Sequence, residues 1–578
     1  MSKEKVSFKW AFKEFIWPRK KIISVGIILI IIKSLAGLAM PYVLKRLVDD
    51  VFVNSDFDAL YNLIYILSGA LFIQAITSFS LTRLLSVEAQ HLISKLRARV
   101  QKKLLKLPIN FFDNHKAGAL VSRVMTDVEG VRNLVGTGLV QIVGGSLTAI
   151  LALIWLININ AMMTFIVLIP VALFAVVMLK AFGYIRPIFK NRGKINAEVT
   201  GRLTETLNGV RVIKGFNAEE QENNVFEKGV ERLYLNVKKS LTATALITSS
   251  STFLIGLATA GIMGIGGYYV MNDGMSQGQF FQYISLLALL VAPIVQMSNI
   301  GSQLSEAMAG LDRTQELMNM SEENNPDKRN VMLDKIVGDI EFNDVSFSYE
   351  ESKEVLHNIS FQAPSGSVTA LVGSSGSGKS TIAGLVATFL NPSDGKVTLD
   401  GQDLGQVNLS SYRKHLGVVL QDDFLYEGTI RENILFARPK ASDAELRQAI
   451  EGAYVNEFTD KFEEGLDTVI GERGVKLSGG QRQRISIARA ILADPKVIIL
   501  DEATSNLDTE SESFIQKSLN VLMKGRTTLV IAHRLSTIQQ ADQILVIEEG
   551  RIAEQGKHDE LISQKGRYHD LYTYQSRI

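Results

Sequence analysis

Two patterns of hydrophobic and polar positions divide the chain. Over the first half, apolar residues run almost unbroken through 22–40, 60–81, 135–157, 162–182, 241–270 and 280–300, the first run ending at Pro41. A helix rises about 1.5 Å per residue, so each run reaches across about 30 Å of hydrocarbon. Buried helices of a soluble domain would need polar surface to cover them, and six such runs leave too little. The pattern therefore predicts six membrane-spanning helices. From residue 340 the pattern changes to short β-branched runs alternating with helical stretches, which predicts an α/β domain around a mainly parallel sheet. Between the two lies a polar stretch without apolar periodicity, 321–330 (SEENNPDKRN).

The spacing of the runs predicts their topology. The links after runs one, three and five are short, as at 158–161 and 272–279, whereas 83–133 and 183–240 are long and rich in Lys and Arg. Positive links stay on the cytoplasmic side. The N-terminus and both long links are thus expected inside, and the sixth run returns the chain to the cytoplasm near Gly301. Residues 86–107 carry apolar positions at helical spacing, so the helices should project beyond the bilayer. Breaks are expected at 108–118 (PINFFDNHKAG) and 208–217 (NGVRVIKGFN). Residues 1–21 mix Phe8, Trp10, Phe12, Phe15 and Trp17 with many lysines and lack a small-residue cleavage site. They read as a cytoplasmic helix on the bilayer surface, not as a removed signal peptide. The expected organisation is this surface helix (1–21), a transmembrane domain (22–320), a linker (321–337) and the α/β domain (338–578).

Composition narrows the chemistry. A mean hydropathy of +0.14 over 578 residues fits membrane segments. The net charge of +1 gives no field for nucleic acid, so no nucleic-acid partner is expected. Cysteine is absent, which excludes disulfides, thiolate-held metals and a cysteine nucleophile.

Candidate chemistry gathers in the second half. A strand at 368–372 runs into Gly373, Ser374, Ser375, Gly376, Ser377, Gly378, Lys379, Ser380 and Thr381, which matches G-x-x-x-x-G-K-[ST]. Such a loop wraps phosphates with backbone N–H groups and aims a helix N-terminus at them. Lys379 would reach the β and γ oxygens, and Ser380 would hold Mg²⁺. A buried-strand run at 496–500 ends in Asp501 and Glu502; Asp501 suits the Mg²⁺ shell, through water, and Glu502 suits a general base for the attacking water. Strands at 416–420 and 527–532 end at Gln421 and His533. Ligands in parallel sheets sit beyond the carboxyl ends of strands, so all these groups can face one rim. Ser478, Gly479, Gly480 and Gln481 open a helix at 482–492, with Ser478 suited to cap it. This is a second anion-binding helix start, which makes sense if it completes a nucleotide site on another copy.

Together, the phosphate loop, Gln421, LSGGQ (477–481), the run ending in Asp501-Glu502, Ser505-Asn506-Leu507-Asp508 and His533, in this order behind six spans, resemble a half-size bacterial ABC exporter of the multidrug and lipid flippase branch. The resemblance covers essentially the whole chain. It implies an all-α six-helix transmembrane domain followed by an α/β P-loop ATPase domain, in the cell membrane, with the ATPase domain cytoplasmic. It further implies a dimer, a second copy of the chain being the expected partner, with two ATP sandwiched between the phosphate loop of one subunit and Ser478–Gln481 of the other. Tyr349 matches the aromatic that stacks on adenine, Gln421 a Mg²⁺ and water contact, His533 a γ-phosphate contact, and Asp508 a residue communicating across the dimer. Gly471-Glu472-Arg473-Gly474 resembles the cross-link to the cytoplasmic loops. Position 506 is Asn where many members have Ala. Intact Glu502, His533 and LSGGQ point to two working sites.

The implied function is ATP-driven export or flipping of amphipathic substrates, drug-like compounds or lipids, by alternating access. Alternatives are a peptide or siderophore transporter, or an ATP-gated membrane protein that does not pump. Polar residues inside spans are the candidates for substrate contact: Lys33, about 18 Å along the helix from Lys21, and Gln282 and Gln296.

Overall fold

The computed structural model describes residue 14 and residues 17–576, apart from 116, 273, 351, 352, 422, 472, 473, 502–508 and 533. The surface helix expected over 1–21 lies mostly outside the described residues. The chain divides into two compact units, one formed by Met1–Leu105 and Ala117–Met320, the other by Lys106–Lys116 and Ser321–Ile578.

The first unit is helical. Its long helices are α1 (Lys20–Gly37), α2 (Phe57–Leu104), α3 (Thr137–Ile159), α4 (Ala161–Asn208), α5 (Glu219–Met271) and α6 (Gln277–Met318). Among the described residues four helical stretches are long and apolar enough to cross a membrane: Trp17–Phe52, Phe57–Leu104, Ala117–Ile159 and Glu219–Met271. Helix α4 opens with the shorter apolar stretch Ala161–Val177, and α6 with FFQYISLLALLVAPIV. Large apolar side chains such as Phe72 (68% exposed) and Phe165 (73%) point outward. That arrangement is stable in lipid and costly in water. At 48 residues, α2 and α4 are each about 72 Å long, well beyond the hydrocarbon thickness.

Helix α2 stops at Leu104, before Pro108, and a short helix follows at Ile109–Asp113. Helix α4 stops at Asn208, and a short helix occupies Val210–Gly215 before α5. Both breaks fall where the sequence placed them. Pro41 does not end the first helical stretch. The helix resets at Leu38, and Pro41 sits in the first turn of the next helix, Ala39–Arg46. There a missing N–H leaves no helical bond unmade. At the start of α6, Asp49 accepts hydrogen bonds from the Ser276 hydroxyl (2.6 Å) and the Gly278 N–H (2.8 Å).

The second unit holds two sheets. The strands are β1 (Ile340–Glu350), β2 (Lys353–Ala363), β3 (Val368–Val372), β4 (Asp394–Leu399), β5 (Gln402–Asp403), β6 (Leu416–Val419), β7 (Val497–Asp501), β8 (Thr527–Ile531), β9 (Gln543–Glu548) and β10 (Arg551–Gly556). The larger sheet runs β10-β9-β3-β8-β7-β6 and is parallel except for β10. Its central strands are buried on both faces. Ala370, Ile498, Val530 and Ile544 pack into one core, and Leu371, Val497, Leu529 and Leu545 into the other. That two-sided burial is why these strands read as continuous apolar runs. The second sheet, β2-β1-β4-β5, is antiparallel; the β-branched runs did not announce it.

The polar stretch between the units is anchored to the second one. Glu323 makes a two-pronged ion pair with Arg413 (2.9 and 2.7 Å) and donates its N–H to the Lys106 carbonyl. Arg329 is buried, donating to the Leu404 and Val407 carbonyls and to Asn391. Burial lowers its pKa, with Glu323 opposing.

Candidate nucleotide site

Strand β3 ends at Val372, and the loop 373–378 leads into helix α7 (Lys379–Val386). The loop needs glycine. Gly378 has φ +109°, and a Cβ there would lie 2.5 Å from Leu356 Cδ2. A Cβ on Gly373 would lie 2.1 Å from the Ile547 carbonyl oxygen. With those positions bare, the loop curls around its own lysine. Lys379 is 7% exposed and donates to the carbonyls of Gly373 (2.9 Å) and Ser374 (2.7 Å). Burial pushes its pKa below the ordinary lysine value, and the nearby Asp501 carboxylate pulls it back up. The Ser377 hydroxyl is buried without a hydrogen-bond partner among the described residues.

Beside the loop opens a cleft of about 770 Å³. It brings together Ser375, Gly376, Gly378, Lys379, Ser380 and Thr381 from the loop and helix, Gln421 from the end of β6, Asp501 from β7 and Tyr349 from β1. The Tyr349 ring is 57% exposed, stands edge-on to Phe347, and places its hydroxyl 3.3 Å from Thr381 Oγ1. The oxygen donors Ser380, Gln421 and Asp501 share the cleft, a set suited to a hard divalent cation such as Mg²⁺. An ammonium, a curled loop and a helix start suit a polyphosphate. Glu502, Asp508 and His533 lie outside the described residues, as do Glu472 and Arg473.

Ser478, Gly479, Gly480 and Gln481 open helix α8 (Gly479–Ala493). Ser478 caps it by accepting the Gln481 N–H, and the Gln481 side chain accepts the Ser478 N–H at 2.9 Å. The helix therefore starts three residues earlier than the spacing suggested, and Gln481 has a local role in closing the cap. None of these four residues lines the cleft.

Four residues of the cleft went unnoticed in the sequence: Val355, Ile531, Glu512 and Arg534. The first two are ordinary strand residues. Arg534 follows His533 directly in the sequence, and Glu512 comes four residues after Asp508, which is the only signal that could have found them.

The three substrate candidates differ in their surroundings. Lys33 donates to the Ser78 hydroxyl on α2 (3.2 Å). Gln282 and Gln296 both belong to α6, about 21 Å apart along its axis, and Gln282 is 2% exposed whereas Gln296 is open.

Comparison with known proteins agrees with this geometry. Residues 23–294 match the ABC transporter transmembrane region, and residues 356–505 match the ABC transporter family. A lipid A-core flippase of Desulfotalea psychrophila is 35% identical over 547 residues, 95% of each chain. A Bacillus subtilis relative, provisionally named a multidrug export ATP-binding/permease protein, is 34% identical over 580 residues, 98% of this chain and 99% of its own. A solved bacterial Atm1-family ABC exporter with ATP bound superposes with a TM-score of 0.82 at 26% identity, covering 96% of this chain and 98% of its own. With a membrane region and an ATPase domain fused in one polypeptide and matched end to end, the chain belongs to the ABC transporters, as a half-size exporter.

Proposed function

We propose that the chain is one half of a dimeric pump that uses ATP to export or flip amphipathic substrates, lipids or drug-like compounds, across the cell membrane, with the ATPase domain in the cytoplasm. The observation that carries the dimer is the composition of the cleft. One chain has one phosphate loop and one LSGGQ, and the cleft is lined without Ser478–Gln481. Those residues are then available to close a nucleotide held by a second copy.

In this reading Lys379 and the loop N–H groups bind the β and γ phosphates, and Tyr349 stacks on the base. Ser380, Gln421 and Asp501 would hold Mg²⁺, Asp501 through water; the ion would supply charge neutralisation at the transferring phosphate. Glu502 takes the proton of the attacking water and His533 steadies the γ-phosphate. Binding at both sites draws the two ATPase domains together, and the helix breaks after α2 and α4 pass that movement to the spans. The resulting exchange between inward-open and outward-open states is a population shift driven by a ligand with unequal affinity for them. The full-length likeness to lipid A-core flippases favours a lipid among the amphipathic substrates. Lys33, Gln282 and Gln296 are the candidate contacts, Lys33 for an acidic head group.

Inverted membrane vesicles test the reading. ATP should drive uptake of a fluorescent amphipathic cation, or flipping of a fluorescent phospholipid in proteoliposomes, and Glu502→Gln should abolish both. Wild-type vesicles that hydrolyse ATP but move neither probe would reject export of amphipathic substrates.

A further inference from the structure

Helix α8 opens with Gly479 and Gly480, residues that resist helix formation because they lose the most backbone freedom on ordering. The cap between Ser478 and Gln481 holds the outer end of that first turn. Arg484 holds its inner side. It is 5% exposed, and its side chain leaves α8 to meet Tyr454, Phe458 and Phe514. Nη1 donates to the Tyr454 carbonyl at 3.0 Å, and Nε reaches back to the Gly480 carbonyl at 3.4 Å. The guanidinium carbon lies 4.8 Å from the centre of the Phe458 ring, in the short helix Asn456–Thr459, and 5.3 Å from that of Phe514, in α9 (Thr509–Met523). Such cation–ring contacts strengthen when water is excluded. Arg482, two residues earlier, donates only within its own turn, to the Leu477 carbonyl.

The start of α8 is therefore tied through one buried cation to the 454–459 segment and to α9. The sign of the charge matters as well. A helix start is electropositive, so a cation buried beside it works against the helix. The first turn of α8 has no acidic residue, whereas Arg482 and Arg484 both fall within its first six residues. That arrangement is wrong for the helix alone and right for a phosphate brought to its start. Among the described residues, the cleft of the same chain is lined without Arg484. Helix α9 also carries Glu512, which does line that cleft. Action on the chain's own nucleotide and action on a second copy's nucleotide thus make opposite predictions.

We propose that Arg484 is a positioning residue for ATP hydrolysis on the second copy: it fixes the start of α8, so that Ser478–Gln481 meet the nucleotide held by the other chain's phosphate loop. The proposal rests on the dimeric reading above, in which each nucleotide lies between two chains. A misplacement of about 1 Å in groups that orient a reacting phosphate can cost about a hundredfold in rate.

The test uses full-length chains in lipid nanodiscs, purified as homodimers or, with two affinity tags, as heterodimers. The Arg484→Gln homodimer should lose about tenfold or more in ATPase kcat, while binding of trinitrophenyl-ATP to its phosphate loops stays within about twofold of wild type. Paired with Lys379→Met, Arg484→Gln places both lesions in one shared site and leaves the other intact, so activity should return. Paired with Ser478→Arg, it damages both sites, and activity should stay low. Arg484→Lys keeps the charge but not the planar fork; it should show the same pairing pattern with a smaller loss, so the answer does not depend on how one variant folds. A wild-type rate in the Arg484→Gln homodimer would overturn the proposal. So would recovery with Ser478→Arg, which would place the effect in the chain's own cleft, or recovery with neither partner, the mark of a damaged domain. The pair Lys379→Met with Ser478→Arg is the control. If it stays inactive in heterodimers shown to form, the shared-site reading falls and this proposal with it; if it recovers beside a wrong Arg484 pattern, the role of Arg484 alone is rejected.

Discussion

At the scale of single residues, Lys379 is set by two opposing influences. Its burial disfavours the charged ammonium, and Asp501 restores it. A phosphate ligand needs the charged form. Removing the carboxylate by Asp501→Asn lowers the lysine's pKa further, so the ammonium loses its proton at a lower pH. The alkaline limb of trinitrophenyl-ATP binding, measured without Mg²⁺, should therefore move to lower pH in Asp501→Asn than in wild type. An unchanged limb would mean that Lys379 is not the titrating contact. The glycines beside it were legible in the sequence because the motif states the chemistry directly. The clash that makes Gly373 necessary was not, because the Ile547 carbonyl it faces comes from β9, far along the chain.

At the scale of elements, helix starts and stops followed local signals well. Ser478 caps α8, and Pro108 follows the end of α2. The strand expected at 496–500 is observed one residue later, at Val497–Asp501. Pro41 misled because a proline ends one helix and begins another with equal ease. The junction between Asp49 and α6 was invisible, since its partners are more than two hundred residues apart. Asp49→Ala leaves the Ser276 hydroxyl and the Gly278 N–H without this acceptor and should cost about 1–3 kcal/mol. Gly278→Val should cost more, because a Cβ there would lie 2.3 Å from the Lys45 carbonyl oxygen. Thermal unfolding in detergent reads both; a melting temperature unmoved in either variant would mean the junction carries no load.

At the scale of the whole molecule, the proposed assembly places each nucleotide between two chains. A mixture of subunits separates that arrangement from sites completed within one chain. Lys379→Met and Ser478→Arg should each be inactive as homodimers. Co-assembled, they pair one doubly defective site with one intact site, and ATPase activity should return. No recovery, in heterodimers shown to form, would mean that each chain closes its own site. The double damage falls on one site only if the phosphate loop and Ser478 come from different subunits.

The sequence by itself determined what local chemistry dictates. Lipid demands long apolar helices, a phosphate demands bare backbone beside a lysine, and two-sided burial demands β-branched runs; each leaves a mark within a few dozen residues. The tertiary structure alone decided what depends on distant partners. These are the antiparallel sheet around β1, the anchoring of the polar 321–337 stretch through Glu323 and Arg329, the pairing of Lys33 with Ser78, and the meeting of Arg534 with Glu512. Such contacts join residues whose neighbours in sequence say nothing of one another, so no periodicity or spacing could foretell them.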